Sequence, residues 1–124
     1  MVTNTVLVVE DEPEIRELLK FTLERAGLSV QESESAEDAI RLLDGTPPSL
    51  AIIDWMLPGM SGVDLARRLR GDSATEDIPM IMLTARGEEA DKLKSFDSGV
   101  DDYVTKPFSP VSYTHLTLPT SFLV

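Results

Sequence analysis

The sequence predicts an α/β fold in which helices cover both faces of a doubly wound, parallel, five-stranded sheet. Short apolar runs alternate along the chain with segments of helical periodicity, and helices between strands imply the crossover connections that join parallel strands. The clearest run, Leu50 to Ile53, is apolar without interruption, which is typical of a strand buried on both faces. Several runs end directly before polar residues, so those residues are expected at one edge of the sheet.

A proline and a glycine mark the two ends of the first predicted helix. Thr5 to Val9 is the predicted strand, and Pro13 suits the first turn of the helix that follows, because its missing N–H has no partner to lose there. Gly27 is placed to end this helix. Its expected buried stripe consists of Ile15, Leu18, Leu19, Thr22 and Ala26.

The next strand and helix have a weaker pattern. Leu28 to Ser33 alternates only loosely and predicts a more exposed strand. Ser35 is the expected N-cap of the second helix and Gly45 its end. The buried stripe of this helix is predicted to be Ala36, Ala39, Ile40 and Leu43.

The central strand stops at Asp54, because Pro58, Gly59 and Gly62 forbid its continuation. Ser61 can then cap a third helix that Gly71 ends. The expected inner face of this helix is Gly62, Leu65, Ala66 and Leu69.

The last third of the chain is expected to add two strands and a helix. Pro79 to Leu83 is the fourth strand, running into Thr84 and Ala85, and Asp101 to Thr105 is a short fifth strand that delivers Lys106. The helix between them, roughly residues 88–98, has few apolar anchors and is therefore easily moved. Those anchors are Ala90, Leu93 and Phe96.

Composition excludes several classes of function. The 124 residues suffice for one domain, and the absence of Cys and the single His115 exclude disulfides, thiolate chemistry and a His-rich metal site. The net charge of -11 argues against binding of nucleic acid by this segment. Because no stretch approaches the ~20 apolar residues of a membrane span and no signal peptide begins the chain, a cytoplasmic protein is expected.

Four polar segments are predicted to meet at the carboxyl edge of the sheet, where open parallel sheets bind ligands: Glu10 to Glu12, Asp54, Thr84 and Lys106. Unit charges about 4 Å apart at an effective dielectric of 20 repel by about 4 kcal/mol, so converging carboxylates require a cation. Carboxylate and carbonyl oxygens suit Mg²⁺, and a hydroxyl and an ammonium complement a phosphoryl group. The set indicates phosphoryl transfer to Asp54 as a carboxylate nucleophile.

Four motifs occur in order along the chain: VVEDE at 8–12, DWMLPGMSG at 54–62, MLTARGEE at 82–89 and DDYVTKPFSP at 101–110. Together they resemble the receiver domain of bacterial two-component response regulators, in the OmpR/PhoB subfamily and its phosphate-regulon branch. The resemblance implies a receiver domain over residues 1–110 with the flavodoxin-like fold and strand order 2-1-3-4-5.

The resemblance also implies the roles of the acidic residues. Asp54 resembles the phosphoacceptor that takes a phosphoryl group from the phosphohistidine of a sensor histidine kinase. Glu10 and Asp11 resemble the acidic pair, with Asp11, Asp54 and the backbone carbonyl of Met56 holding Mg²⁺. Such a domain is a phosphorylated signalling module, with at most slow self-phosphorylation and self-dephosphorylation, rather than an enzyme.

The remaining matched residues resemble the parts of a switch. Thr84 corresponds to the hydroxyl that swings to the phosphoryl group, Lys106 to the lysine that pairs with it, and Tyr103 to the aromatic side chain that moves with Thr84. Phosphorylation is then expected to change the surface of the fourth helix and fifth strand. In this subfamily that surface controls a winged-helix DNA-binding domain, which these residues do not include.

Simpler structural explanations exist for single residues. Asp54 alone would be a turn-former or N-cap, and Glu12 a first-turn carboxylate favoured by the helix dipole rather than a metal ligand. Thr84 alone would be an ordinary strand-end residue. Tyr103 could be a half-buried strand aromatic, and Trp55 either shapes access to the site or is a partly exposed packing residue.

Residues 111–124 depart from the resemblance. They contain no charged residue other than the single His115, have Pro119 in their middle and lack helical periodicity, where a receiver continues into a fifth helix. We interpret them as a cloning scar or out-of-frame extension, in strand or coil conformation. The family's homodimer through its fourth helix, fifth strand and fifth helix is therefore expected to be impaired, or replaced by a contact through these residues.

Two other functions compete with the receiver interpretation. An aspartyl-nucleophile phosphatase of the haloacid dehalogenase type needs a second Asp two positions after the first, whereas position 56 is Met. A degenerate receiver that acts only as an interaction module is disfavoured by the complete set of acidic residues, Thr84 and Lys106, and favoured by the unusual C-terminal residues.

Overall fold

Five strands form one sheet in the computed structural model, which describes residues 4–45, 47–85 and 102–106, with side chains for 4–45 and 47–83. The strands are β1 Thr5–Val9, β2 Ser29–Ser33, β3 Leu50–Asp54, β4 Met80–Ala85 and β5 Asp102–Lys106. Their order is β2-β1-β3-β4-β5, and all neighbours are parallel. The predicted doubly wound sheet is confirmed.

In the described part of the chain, three helices connect β1 to β4: α1 Pro13–Arg25, α2 Ala36–Leu42 and α3 Gly62–Arg70. None of the helices in the described part of the chain is long and apolar enough to cross a membrane. The helix predicted at residues 88–98 and the extension predicted at 111–124 lie outside the described residues.

The apolar side chains of the sheet alternate between two cores. One core joins the odd-numbered positions of β1 and β3 to α2 and α3, and the other joins the even-numbered positions to α1. The strand residues of the first core are Leu7, Val9, Ala51 and Ile53, and those of the second are Val6, Val8, Leu50 and Ile52. Because β1 and β3 are buried on both faces, their register is held firmly.

Helix ends follow the predicted capping residues closely. Ser35 and Ser61 both act as N-caps, since their hydroxyls accept from the N–H groups of Asp38 (3.1 Å) and Asp64 (3.2 Å). Gly71 is the C-cap of α3, as predicted. The regular part of α2 ends at Leu42 rather than at Gly45, because the last residues tighten into bonds of the i to i+3 type.

Gly27 terminates α1 in a Schellman motif. Its φ is +88°, its N–H donates to Glu24 O (3.0 Å), and the Leu28 N–H donates to Leu23 O (3.1 Å). Leu23 and Leu28 belong to the same apolar core, which is the hydrophobic contact that usually accompanies this motif.

The predicted stripe of α1 omitted Leu23. Leu19 and Leu23 are the fully buried residues of the helix, whereas the other predicted members, Ile15, Leu18, Thr22 and Ala26, are half-buried. Leu23 lies four residues after Leu19 and therefore on the same face of the helix. It packs in the same apolar core as Leu28, which follows the turn at Gly27. The other prediction for this half, that β2 is the more exposed strand, is confirmed.

Replacing Leu23 with Ala should lower the free energy of unfolding by about 2–5 kcal/mol, because it removes buried methyl groups and leaves a cavity. Thr22→Ala, one position away and half-buried, is the matched control and should change stability by less than about 1 kcal/mol. Urea denaturation followed by far-UV circular dichroism measures both. Equal losses from the two variants would contradict the observed orientation of α1.

Candidate functional site

Asp54 is the last residue of β3, and only 3% of it is exposed. The strand pairing continues one residue further, since the Trp55 N–H donates to Leu83 O (2.8 Å). The Met56 N–H then turns back and donates to Asp54 Oδ1 (3.3 Å). The carboxylate is therefore held at the strand end by the first residues of the loop that follows it.

Glu10 and Asp11 leave the sheet beside Asp54. In the parallel pairing of β1 and β3, Val9 lies opposite Ile53, so the next residue of each strand is Glu10 and Asp54 respectively. Glu10 is completely buried, whereas Asp11 is exposed. The acidic pair thus has one member inside the protein and one facing solvent.

Three contacts hold the buried Glu10 in place. Its Oε2 accepts from the Glu12 N–H (3.1 Å), its backbone carbonyl accepts from Arg16 Nη1 (2.8 Å), and its N–H donates to Ser33 O (2.9 Å). Arg16 also lies 3.5 Å from the Glu32 carboxylate of β2. The turn that carries Asp11 is therefore tied to both α1 and β2.

The carboxylates of Glu10, Asp11 and Asp54 converge, with one oxygen of each within 4.8 Å of the others. Opposite ligands of Mg²⁺ lie about 4 Å apart, so small side-chain rotations bring these oxygens into the range of a single ion. Carboxylate oxygens are the hard ligands that Mg²⁺ prefers, and the exposed Asp11 leaves the cluster accessible. The donor set fits Mg²⁺, whose charge offsets the repulsion between the carboxylates.

Gly62 allows α3 to begin directly against the strand that carries Asp54. A Cβ atom on Gly62 would lie 2.1 Å from the backbone oxygen of Asp54 and 3.1 Å from Ile53 Cγ2. The Gly62 N–H donates to Trp55 O (3.2 Å), which closes the loop of residues 55–61. Only a residue without a side chain fits here.

The other predicted site residues are placed by the backbone alone. Leu83 pairs with Asp54, so Thr84 follows directly, and Lys106 pairs with Ala85 at the end of β4. The fifth strand thus includes Lys106, one residue beyond its predicted end at Thr105. The side chains of Thr84, Tyr103 and Lys106 are outside those that the structure describes, and their roles stay predictions.

Two of the alternatives raised by the sequence can be compared with the structure. Trp55 is 9% exposed and belongs to the core between the sheet and α2 and α3, so it is a packing residue more buried than expected. Glu12 is the N-cap residue of α1 rather than part of its first turn, and its side chain makes no capping hydrogen bond.

Sequence reasoning missed the roles of Gly62 and Arg16. The sequence pattern places Gly62 at the end of the central strand and on the inner face of α3, but a Gly at a helix start, where Ala is the better helix former, is also a usable signal of close backbone approach. Arg16 has no such signal, because a single Arg on an amphipathic helix is indistinguishable from an ordinary surface residue.

Comparison with known proteins gives a consistent result. Residues 6–116 match the family model described as the response regulator receiver domain. The phosphate regulon transcriptional regulatory protein PhoB of Pseudomonas aeruginosa is 51% identical over 110 residues, which cover 89% of this chain and 48% of that protein. The chain therefore spans about half the length of this relative.

Solved structures agree with the sequence comparison. The signal receiver domain of a signal transduction histidine kinase from Syntrophus aciditrophicus is 34% identical, has a TM-score of 0.85, and is matched over 98% of this chain and 90% of that one. The receiver domain of a sensor histidine kinase from Pseudomonas aeruginosa, 24% identical, shares the fold with a TM-score of 0.81 over 93% of this chain and 94% of that one. That protein has a magnesium ion coordinated in its active site cleft.

Gly62→Ala should destabilise the protein by about 3 kcal/mol or more, at the upper end of overpacking effects, because a Cβ atom 2.1 Å from Asp54 O forces the backbone apart. The matched control is Gly45→Ala, where the nearest atom is Leu42 O at 3.8 Å, and it should be neutral or slightly stabilising. Urea denaturation measures both variants. Wild-type stability of Gly62→Ala would contradict the close approach of α3 to β3.

Proposed function

The chain belongs to the response regulator receiver domain family, and from this membership we propose that it acts in the cytoplasm and that Asp54 accepts a phosphoryl group from a sensor histidine kinase. The family is one of signalling domains of two-component systems rather than of classical enzymes. The observation that carries the proposal is the convergence of Glu10, Asp11 and Asp54, whose oxygens lie within 4.8 Å. A carboxylate at a buried strand end, beside two others, is suited to act as a metal-assisted nucleophile.

Mg²⁺ is the proposed cofactor, held by Asp11, Asp54 and the backbone carbonyl of Met56, with Glu10 completing the acidic cluster. When bound, the ion neutralises charge on the phosphoryl oxygens. The donor set of the cluster supports this assignment. The Pseudomonas aeruginosa receiver domain, which shares the fold, has a magnesium ion in its own active site cleft, and this supports the proposal.

In the proposed reaction, an oxygen of Asp54 attacks the phosphorus of a phosphohistidine on the kinase. The P–N bond breaks as the new P–O bond forms, and the departing imidazole nitrogen takes up a proton from solvent. Thr84 and Lys106 are proposed to receive the phosphoryl oxygens through a hydroxyl and an ammonium. These two roles are supported by the strand register, which brings the carboxyl ends of β3, β4 and β5 to one edge of the sheet. Without a kinase, the same chemistry would run slowly with a small phosphodonor.

The proposed output is a change of surface around β5. Thr84 would move toward the phosphoryl group and Tyr103 would move with it, which biases the fourth helix and β5 between two arrangements. The Pseudomonas aeruginosa relative is a transcriptional regulatory protein about twice as long as the matched region. We therefore propose that the switch controls transcription through a DNA-binding domain, while this acidic domain makes no contact with nucleic acid itself.

A degenerate receiver is the second candidate function, and the unusual residues 111–124 favour it. In that case the domain would bind a protein partner without being phosphorylated. An aspartyl phosphatase is a weaker candidate, because the residue two positions after Asp54 is Met56, which is 64% exposed and carries no carboxylate.

Incubation with Mg²⁺ and acetyl phosphate should add one phosphoryl group that is acid-stable and hydroxylamine-labile, as expected of an acyl phosphate. Asp54→Ala should abolish the adduct, because it removes the nucleophile. Intact-mass spectrometry measures the product directly.

The matched control for this experiment is Asp64→Ala, which removes an exposed carboxylate of α3 that faces Arg67 and should leave the adduct intact. Steady turnover of the phosphodonor without an adduct would favour the phosphatase. Neither adduct nor turnover would favour the degenerate module, and labelling of Asp54→Ala would contradict the assigned acceptor.

We further propose that residues 111–124 impair the family's dimer or replace it by packing or strand exchange with a second copy. Deletion of residues 111–124 should then change the oligomeric state measured by light scattering. An unchanged monomer would refute the tail-mediated contact, and a phosphorylation-dependent dimer of the family type in the full chain would refute the impairment.

A further inference from the structure

A hydrogen bond links α2 to the loop of residues 55–61, two parts of the chain far apart in sequence. The Met60 N–H donates to Glu37 Oε2 at 3.1 Å across 23 residues. Glu37 lies in the first turn of α2, and its neighbour Asp38 is engaged elsewhere by Arg41, whose side-chain hydrogen bond lowers the pKa of Asp38. Of these two carboxylates, Glu37 is the one bonded to the loop.

The loop of residues 55–61 has anchors at its two ends, and the bond at Met60 lies two residues before the closing contact of Gly62. The Met56 N–H donates to Asp54 Oδ1 at 3.3 Å at the start, and the Gly62 N–H donates to Trp55 O at 3.2 Å where the loop closes. At Gly59 the backbone takes φ +75°, and a Cβ atom there would lie 2.8 Å from Glu37 Oε2. The backbone at residues 59 and 60 is therefore shaped around the Glu37 carboxylate.

We propose that Glu37 is a positioning residue for the phosphorylation site, acting through this loop. The proposal rests on the proposed function, in which the carbonyl of Met56 is a ligand of Mg²⁺. Mg²⁺ requires near-ideal octahedral geometry, so a loop that can shift its carbonyl binds the ion less well. Glu37 touches neither the ion nor the phosphoryl group; it limits the movement of the backbone that does.

The decisive variants are Glu37→Ala, which removes the acceptor, and Glu37→Gln, which removes the charge but keeps an oxygen that can accept from the Met60 N–H. Hydrogen exchange of the Met60 amide, followed by NMR, reports the bond itself. Titration with Mg²⁺, followed by the fluorescence of Trp55, reports the site, because Trp55 is the only Trp and adjoins Asp54. Glu37→Ala should speed Met60 exchange and weaken Mg²⁺ binding by about three- to tenfold, the range that one hydrogen bond supports, while Glu37→Gln stays close to wild type.

A pair of glycine variants separates this effect from general loss of stability. Gly59→Ala and Gly27→Ala both strain a backbone with positive φ, but a Cβ atom on Gly27 has nothing within 4 Å. Both should destabilise the fold, and only Gly59→Ala should weaken binding of Mg²⁺.

These experiments test the positioning role of Glu37 separately from the proposed phosphorylation of Asp54. Unchanged Met60 exchange in Glu37→Ala, or equal weakening of Mg²⁺ binding by Glu37→Ala and Glu37→Gln, would overturn the positioning role, the second because the effect would then come from charge alone. A wild-type protein that gains no phosphoryl group would overturn the proposed function, whereas the exchange and Mg²⁺ measurements decide on Glu37 alone.

Discussion

The pairing of β1 with β3 is the constraint on which the candidate site depends. Both strands are buried on both faces, and a slip of one residue would turn every apolar side chain to the wrong core. The same register sets Glu10 and Asp11 beside Asp54 at the carboxyl edge of the sheet. Burial of apolar side chains thus holds together carboxylates that would repel each other in isolation, and the resulting concentration of negative charge favours a divalent cation.

Hydrogen bonds of backbone groups and close backbone packing restrain the loops at this edge. The Glu12 N–H binds the buried Glu10 carboxylate, and Gly62 lets the start of α3 press against the backbone of Asp54. A site on short, restrained loops at the edge of a packed sheet keeps its ligands in place. Such an arrangement suits the proposed phosphorylation of Asp54.

Most of the fold could be predicted because the ends of its helices are set by capping residues, which act on backbone groups close to them in sequence. Ser35, Ser61 and Gly71 cap helices for reasons visible within a few residues of each. The convergence of Glu10, Asp11 and Asp54 was also predictable, since parallel strands end at one edge. Contacts that depend on the three-dimensional fold could not be predicted. Nothing in the neighbouring sequence shows that Leu23 joins the same core as Leu28, or that Gly62 lies against the backbone of Asp54. The same holds for the hydrogen bond from the Met60 N–H to Glu37. Glu37 is fully explained, from sequence alone, as a favourable first-turn carboxylate.

The central claim is that the acidic cluster binds a divalent cation at Asp54, and anomalous diffraction tests it most directly. Mn²⁺ accepts the same oxygen ligands as Mg²⁺ and scatters anomalously. In crystals grown with Mn²⁺, the account predicts one strong anomalous peak coordinated by Asp11, Asp54 and the backbone carbonyl of Met56. A peak elsewhere, or none at this cluster under saturating Mn²⁺, would contradict it.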